Sequence, residues 1–422
     1  MMDLGEVFGP DGRLAARLPG FSHRAQQEAM AERVAEVLGA GGVLVCEAGT
    51  GTGKTFGYLV PALLSGRKVL ISTGTKNLQD QLFDRDLPLV REALGVPVRV
   101  ALLKGRANYL CLHRLEVAGA ESVGPDPELR RQLERVQAWS KSTRRGDIAE
   151  LAIPEDAPVW PLVTSTSDNC LGQGCAHWQD CHLVSARRAA QAAELVVVNH
   201  HLLCADLALK DEGFGEILPG ADCFVIDEAH QLPEIASGFF GVALSGRQLL
   251  DLARDTELEY RREAGDAPEL LTQTAGLRRA TQDLRLALGQ DDRRGPWREI
   301  MGDARVTEAL ATLTRRLGRL GEGLGALAGR GKGLDACLGR ARDLAARLAV
   351  LEREETADQV RWFELHGRGF RFHQTPLSVA DVFRDQFARQ RAAWVFTSAT
   401  LAVGADFGHF TNQLGIEGAQ TE

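Results

Sequence analysis

The segment Gly49-Thr50-Gly51-Thr52-Gly53-Lys54-Thr55 alternates glycine with small hydroxyl residues and ends in a lysine and a threonine, the pattern of a phosphate-binding loop. Glycines there let successive backbone N–H groups turn onto a polyphosphate, and the positive end of a following helix favours its charge. Lys54 is positioned to reach the β- and γ-phosphates, and the Thr55 hydroxyl to ligate Mg2+. Downstream, Asp227-Glu228-Ala229-His230 closes the apolar run Cys223 to Ile226. Two carboxylates at a strand end suit phosphoryl chemistry, with Asp227 on the Mg2+ shell and Glu228 orienting or deprotonating an attacking water. Candidate catalytic residues are therefore Lys54, Asp227, Glu228 and His230, and the nucleotide-binding set is Gly49, Thr50, Gly51, Thr52, Gly53, Lys54 and Thr55.

A second constellation is made of thiols. Cys111 is followed by Cys170, Cys175 and Cys181, with four and five residues between the last three. Four thiolates can hold a [4Fe-4S] cluster or a zinc ion, and the residues leave both open, although the tight Cys-x2-Cys pairs of zinc ribbons are absent. Cys46, Cys204 and Cys223 lie on or beside apolar runs and Cys337 lies in a leucine-rich stretch, so these four are expected to be core residues. His177 and His182 flank the cluster cysteines, but four thiols already complete a ligand set.

These groups need a scaffold. Gly42 to Cys46 leads straight into the glycine loop, after which Phe56 to Leu64 reads as helix. Lys68 to Ser72, Val96 to Leu103, Leu195 to Val198, Cys223 to Ile226 and Trp394 to Phe396 are further buried-type runs alternating with helical segments, which predicts a parallel, helix-flanked sheet. A helix is predicted from His23 to Leu38 with Ser22 as its N-cap. Between about 232 and 374, leucines at helical spacing from Leu310 to Leu327 and from Leu334 to Leu351 flank a Gly329-Arg330-Gly331 turn, predicting a helical hairpin packed on its own chain. Gly318, Gly321, Gly323 and Gly325 predict a looser first arm. Val360 to Leu365 and Phe370 to His373 predict a β-hairpin whose Trp362, Phe363, Phe370 and Phe372 are core.

The chain has 422 residues, 44% of them hydrophobic, which at roughly 150 residues per domain suggests about three domains and excludes disorder. Lys+Arg 49 against Asp+Glu 57 gives a net charge of -8, so nucleic-acid binding would need local basic surface. No apolar run has membrane-spanning length and no signal segment is visible, so a soluble cytoplasmic protein is expected.

With these motifs in order, the chain resembles the superfamily 2 helicases, specifically the iron-sulfur XPD/DinG/YoaA branch. The segment Arg24 to Met30 resembles that family's adenine-recognition segment, with Gln27 in the contacting position. Ser72-Thr73-Gly74-Thr75 with Leu78-Gln79-Asp80-Gln81-Leu82 resembles its motif Ia, which touches the nucleic-acid backbone, and Thr397 to Leu401 resembles motif III. Asn199-His200-His201 matches the stretch before the helicase Asp-Glu-Ala-His box. The resemblance implies a RecA-like P-loop α/β domain interrupted by two insertions. Its first part covers residues 1–104, an iron-sulfur domain 105–181, the second part 182–231, a mainly helical arch 232–374, the third part 375–405, and the start of a linker or second motor domain 406–422.

The same resemblance implies ATP, Mg2+ and a [4Fe-4S] cluster on Cys111, Cys170, Cys175 and Cys181. It further implies a monomeric ATP-dependent DNA helicase, moving 5'-to-3' on single-stranded or forked DNA in replication or DNA repair, with replication or repair proteins as partners. Lys104, Arg106, Tyr109, Trp178, Arg187 and Arg188 lie where single-stranded DNA is expected to pass. No strand-helix series follows Ser398-Ala399-Thr400 and no exonuclease segment precedes the loop, so a shortened chain with weak turnover is expected. The alternative is a single-stranded DNA-binding or regulatory module without efficient ATP hydrolysis.

Overall fold

The computed structural model describes residues 3–422 except 19, 50, 121–125, 168, 212–216, 290, 354–357 and 390–391. In chain order the strands are β1 Gly42–Glu47, β2 Val69–Thr73, β3 Val100–Leu102, β4 Leu195–Asn199, β5 Cys223–Asp227, β6 Val242–Ser245, β7 Arg293–Pro296, β8 Gln359–His366, β9 Gly369–Pro376, β10 Ala393–Ser398 and β11 Gln420–Thr421.

Seven of them form one sheet in the order β11-β1-β10-β5-β2-β4-β3, with every adjacent pair parallel. β2, β4, β5 and β10 are buried at every residue, as continuous apolar runs require when helices cover both faces. One face packs Val34, Leu59 and Val90 against the sheet, and the other packs Leu203, Phe383 and Leu401. Because the strands are parallel, Glu47, Asp227, Thr73, Asn199 and Ser398 all end on one edge. Binding groups of open α/β sheets gather at that edge.

The predicted strand over Val96 to Leu103 shortens to three residues, with Val96 and Val98 packed beside the core instead. The helix predicted over His23 to Leu38 spans Ala25–Ala40, after two short helices at Leu4–Phe8 and Arg13–Arg17. Ser22 is not its cap: Arg24 takes the N-cap position in extended geometry, and His23 Nδ1 lies 3.1 Å from the Phe8 carbonyl, anchoring the approach outside the helix.

Two long segments interrupt the sheet. The first, between β3 and β4, carries the cysteines and a small core of Leu110, Leu133, Val136, Val159, Trp160 and Val163. The second, between β5 and β10, packs helices Gly246–Glu263, Glu269–Ala287, Ala304–Ala326 and Lys332–Glu352 around Leu277, Leu313, Leu320 and Leu348. The first leucine arm is the continuous helix Ala304–Ala326. One of its glycines serves close approach, since a Cβ at Gly323 would fall within 2.1 Å of the Gln273 side chain, whereas Gly318 faces open space.

The predicted hairpin is β8 and β9, with Phe363, Phe370 and Phe372 buried in the bundle core. It belongs to a four-stranded antiparallel sheet, β6-β9-β8-β7, whose outer strands the sequence reading did not identify. Trp362 departs from its expected core position: on the opposite face it stacks on His373, ring centroids 3.9 Å apart.

No described helix is long and apolar enough to cross a membrane.

Candidate functional site

The glycine loop connects β1 to helix Lys54–Leu64. Gly51 and Gly53 adopt φ of 83° and 86°, a region closed to most side chains, and Gly53 is the helix N-cap. Gln27 Nε2 donates to the Gly53 carbonyl at 2.8 Å, and a Cβ on Gly53 would meet that nitrogen at 2.0 Å. Arg24 donates to the Gly51 carbonyl and Thr52 Oγ1 to the Gly49 carbonyl at 2.8 Å. A cavity of about 290 Å3 opens beside the loop, bounded by Gln27, Met30, Glu47, Gly49, Thr52 and Lys54. Thr50 lies outside the described residues.

β5 brings the two carboxylates beside this loop. Lys54 Nζ lies 3.2 Å from Glu228 Oε1. The Tyr58 hydroxyl donates to Asp227 Oδ2 at 3.1 Å, and Thr55 stands close enough to act on the same hydroxyl. Burial, then the neighbouring Glu228 charge, pushes the Asp227 carboxyl up from 3.8 to about 6. Tyr58, fully buried against that carboxylate, is pushed above the usual phenol range. Glu228 is the one non-glycine residue with positive φ among the described residues, at 55°. Such a conformation costs about 1–3 kcal/mol and persists only where the surroundings fix it.

The other sequence motifs close around this turn. His230 Nδ1 lies 2.7 Å from Ser398 Oγ, which donates to Glu228 Oε2 at 3.5 Å. Glu47 Oε2 accepts the Leu401 and Ala402 N–H groups at 2.6 and 2.7 Å, and these bonds hold its carboxyl below the usual range. His200 is fully buried, with Nδ1 2.7 Å from Ser72 Oγ. Burial lowers its pKa to about 4, and its Nε2 is buried without a hydrogen-bond partner.

Sequence reasoning missed Glu47 and Tyr58 altogether. Tyr58 falls four residues after Lys54 and three after Thr55, so helical spacing alone puts it on their face. Glu47 left no local signal, because its partners are more than 350 residues away.

Some of the expected DNA-facing residues point inward. Lys104, 4% exposed, is held between Asp80 at 2.7 Å and Asp147 at 2.9 Å. The Tyr109 hydroxyl accepts the Lys104 backbone N–H at 3.1 Å. Gln79 is buried and donates to the Leu103 carbonyl at 2.9 Å, tying the motif Ia helix to the sheet edge. Lys104 and Tyr109 are engaged inside the protein by these contacts, whereas Gln79 Oε1 is buried without a hydrogen-bond partner.

The four cysteines Cys111, Cys170, Cys175 and Cys181 line one cavity of about 340 Å3, together with Trp178 and Arg187. Burial raises the Cys111 pKa, with Cys170 and Cys175 close enough to add to the effect. All four are free thiols, and among the described residues no group of three or more His, Cys, Asp or Glu side chains is gathered tightly enough to hold one metal ion. His177 bonds Glu116 at 2.8 Å rather than facing the thiols. Cys46, Cys204, Cys223 and Cys337 are buried, as expected of core residues.

A phosphate loop, a strand-end carboxylate pair and a parallel sheet split by two insertions define a RecA-like nucleotide-binding domain. No family model matches the chain. It is 46% identical over 418 residues to ATP-dependent DNA helicase YoaA of Haemophilus influenzae, covering 99% of this chain and 65% of that protein. The identity to the Escherichia coli protein of the same name is 46% over 415 residues, or 98% of this chain and 65% of that one. ATP-dependent helicase DinG of Mycobacterium tuberculosis is 36% identical over 261 residues, 57% of this chain and 39% of that protein. The chain is a homologue of the YoaA and DinG proteins and spans 65% of the length of the two YoaA relatives. A solved structure named Truncated XPD aligns over 93% of this chain and 98% of its own at TM-score 0.44 and 15% identity, too loose a likeness to carry fold or function.

Proposed function

We propose that this chain binds ATP with Mg2+ and couples its hydrolysis to movement on single-stranded DNA, as an ATP-dependent DNA helicase acting in replication or DNA repair. The observation that carries the reading is the meeting of Lys54 with Glu228 at 3.2 Å, one residue from an Asp227 that accepts the Tyr58 hydroxyl at 3.1 Å. In the bound state the loop N–H groups and Lys54 hold the phosphates, Thr55 and Asp227 hold Mg2+, and Glu228 orients or deprotonates the attacking water. The donor set fits a hard cation, being one carboxylate and one hydroxyl oxygen. The magnesium ion neutralises charge on the phosphates. His230 bridges Ser398 to Glu228, a route from the end of β10 to the hydrolytic carboxylate.

The names of the relatives support helicase activity on DNA for this chain. Movement 5'-to-3', forked substrates, protein partners, a monomeric state and a cytoplasmic location are parts of the same reading. So is the division into motor segments, a cysteine domain 105–181 and an arch 232–374.

We further propose a [4Fe-4S] cluster on Cys111, Cys170, Cys175 and Cys181. A single zinc ion at about 2.3 Å from each sulfur would draw four thiolates within roughly 4 Å of one another. The four cysteines line one cavity, and the tight Cys-x2-Cys pairs of zinc ribbons are absent from their spacing, which favours the cluster. When bound, the cluster supplies structural cross-linking and a one-electron couple.

The deciding experiment measures ATPase activity with and without single-stranded DNA, for the wild type and Lys54→Ala. DNA-stimulated turnover lost in the variant supports the helicase reading. DNA affinity without Lys54-dependent turnover favours a binding or regulatory module. Anaerobic purification with iron, sulfide and zinc analysis decides the cluster.

A further inference from the structure

The cysteine cavity is lined by a cation whose buried nitrogen has no hydrogen-bond partner. Arg187, on helix His182–Ala192, lines the cavity with all four thiols. Its Nε is buried and has no hydrogen-bond partner, and no ion pair holds the guanidinium among the described residues. The one carboxylate whose charge reaches it, Asp206, is already committed: it pairs with Lys210 at 2.9 Å and accepts the Ile217 and Leu218 N–H groups. Arg106 presses a second positive charge on the same space and lines the same cavity. Cys170 and Cys181 line the same cavity as Arg187 and Arg106.

A half-buried guanidinium beside another cation, lacking a carboxylate, is costly unless an anion lies against it. Four deprotonated thiols around a cationic cluster form such an anion, with about two net negative charges. We infer that Arg187 is the counter-cation of the group held by Cys111, Cys170, Cys175 and Cys181 and sets its reduction potential, an assignment resting on the iron-sulfur reading above. Adding an electron to an already anionic group is easier beside a fixed positive charge, so Arg187 raises the potential. It does so as a positioning and tuning residue, without being a ligand. This role replaces the DNA-facing one expected from its place in the sequence.

The test uses anaerobically purified full chain, comparing wild type, Arg187→Met and Arg187→Lys by iron content, redox-titrated midpoint and single-stranded DNA affinity. The expected result is a more negative midpoint in Arg187→Met, or loss of its iron, with Arg187→Lys restoring either. Unchanged iron and midpoint in Arg187→Met overturn the inference, and weaker DNA binding with an unchanged midpoint reassigns the arginine to the nucleic acid. Loss of iron from both variants also overturns it, because lysine keeps the charge. Wild-type protein without iron ends the reading on which the inference rests, a failure distinct from the others.

Discussion

The Lys54 ammonium and the Glu228 carboxylate, 174 residues apart in sequence, lie 3.2 Å from each other across the sheet edge. An incoming γ-phosphate competes for the same ammonium, so nucleotide binding breaks this pair and frees Glu228 for water. Lys54→Ala is expected to weaken ATP affinity at least about tenfold, the loss of one strong charge-assisted contact. Glu228→Gln should leave affinity within a few-fold while lowering turnover by about a hundredfold or more. Fluorescent-nucleotide titration alongside steady-state ATPase separates the two effects, and equal losses of affinity in both variants would contradict the division of roles.

Asp227 gives a pH signature of opposite sign with and without ligand. Its folded-state pKa of about 6 exceeds the ordinary value of 3.8, so between those values the unfolded chain loses the proton first. Stability of the nucleotide-free protein through this group therefore falls as pH rises from about 4 to 6, by up to roughly 3 kcal/mol. Mg2+ needs the ionised carboxylate, so apparent Mg2+ affinity should rise over the same window. Asp227→Asn is expected to remove both trends, stabilising the free protein at neutral pH while abolishing Mg2+-dependent turnover. Denaturant melts at several pH values, with and without Mg-nucleotide, check the pair of slopes.

His200 contributes with the reverse sign. Its folded pKa of about 4 lies below 6.5, so the unfolded chain takes up a proton that the native one refuses. Stability through this group is lost as pH falls from about 6.5 towards 4. His200→Leu should leave the buried Ser72 hydroxyl without its partner, at a cost of about 1–3 kcal/mol, and lower turnover by loosening β2 where Ser72 pairs with Ile226 of β5. His200→Asn, which keeps a polar atom near Ser72, should recover part of both. A leucine variant with wild-type stability and turnover would remove the histidine from this network.

Elements whose signal is local were legible in the sequence. The apolar runs ending at Cys46, Ile226 and Phe396 became strands, because burial on both faces demands continuous hydrophobicity. The leucines of Ala304–Ala326 fixed that helix, and the Gly-Lys-Thr ending marked the phosphate loop. β7, whose sequence is Arg-Arg-Gly-Pro, carries no alternation and is a strand only because it pairs with β8. Lys104 and Tyr109 read as DNA-facing because a basic and an aromatic residue look alike whether exposed or satisfied inside. Their partner Asp147 lies some forty residues away, where no local pattern points to it. The same holds for Glu47 and Leu401, which only the closed sheet brings together.

Asp255 joins the cysteine segment to the helical bundle. Its carboxylate accepts Arg114 from the first insertion at 3.2 Å and Arg340 from the second at 2.7 Å, all three residues being 9% exposed or less. The two arginines hold the Asp255 carboxyl below its usual range although burial acts against them. Removing the shared anion leaves two guanidiniums facing each other in a dry interface. Asp255→Ala is therefore expected to cost about 3–5 kcal/mol, the range for stranding one side of a buried ion pair. The loss should concentrate where the charges meet: hydrogen exchange should rise in helices Leu112–Ala120 and Lys332–Glu352 before it rises in the parallel sheet. Asp255→Asn keeps the shape and one acceptor but not the charge, so it should fall between the wild type and alanine. Exchange that rises evenly over β1, β5 and β10 would instead make Asp255 a general stability residue, with no special role in holding the two insertions together.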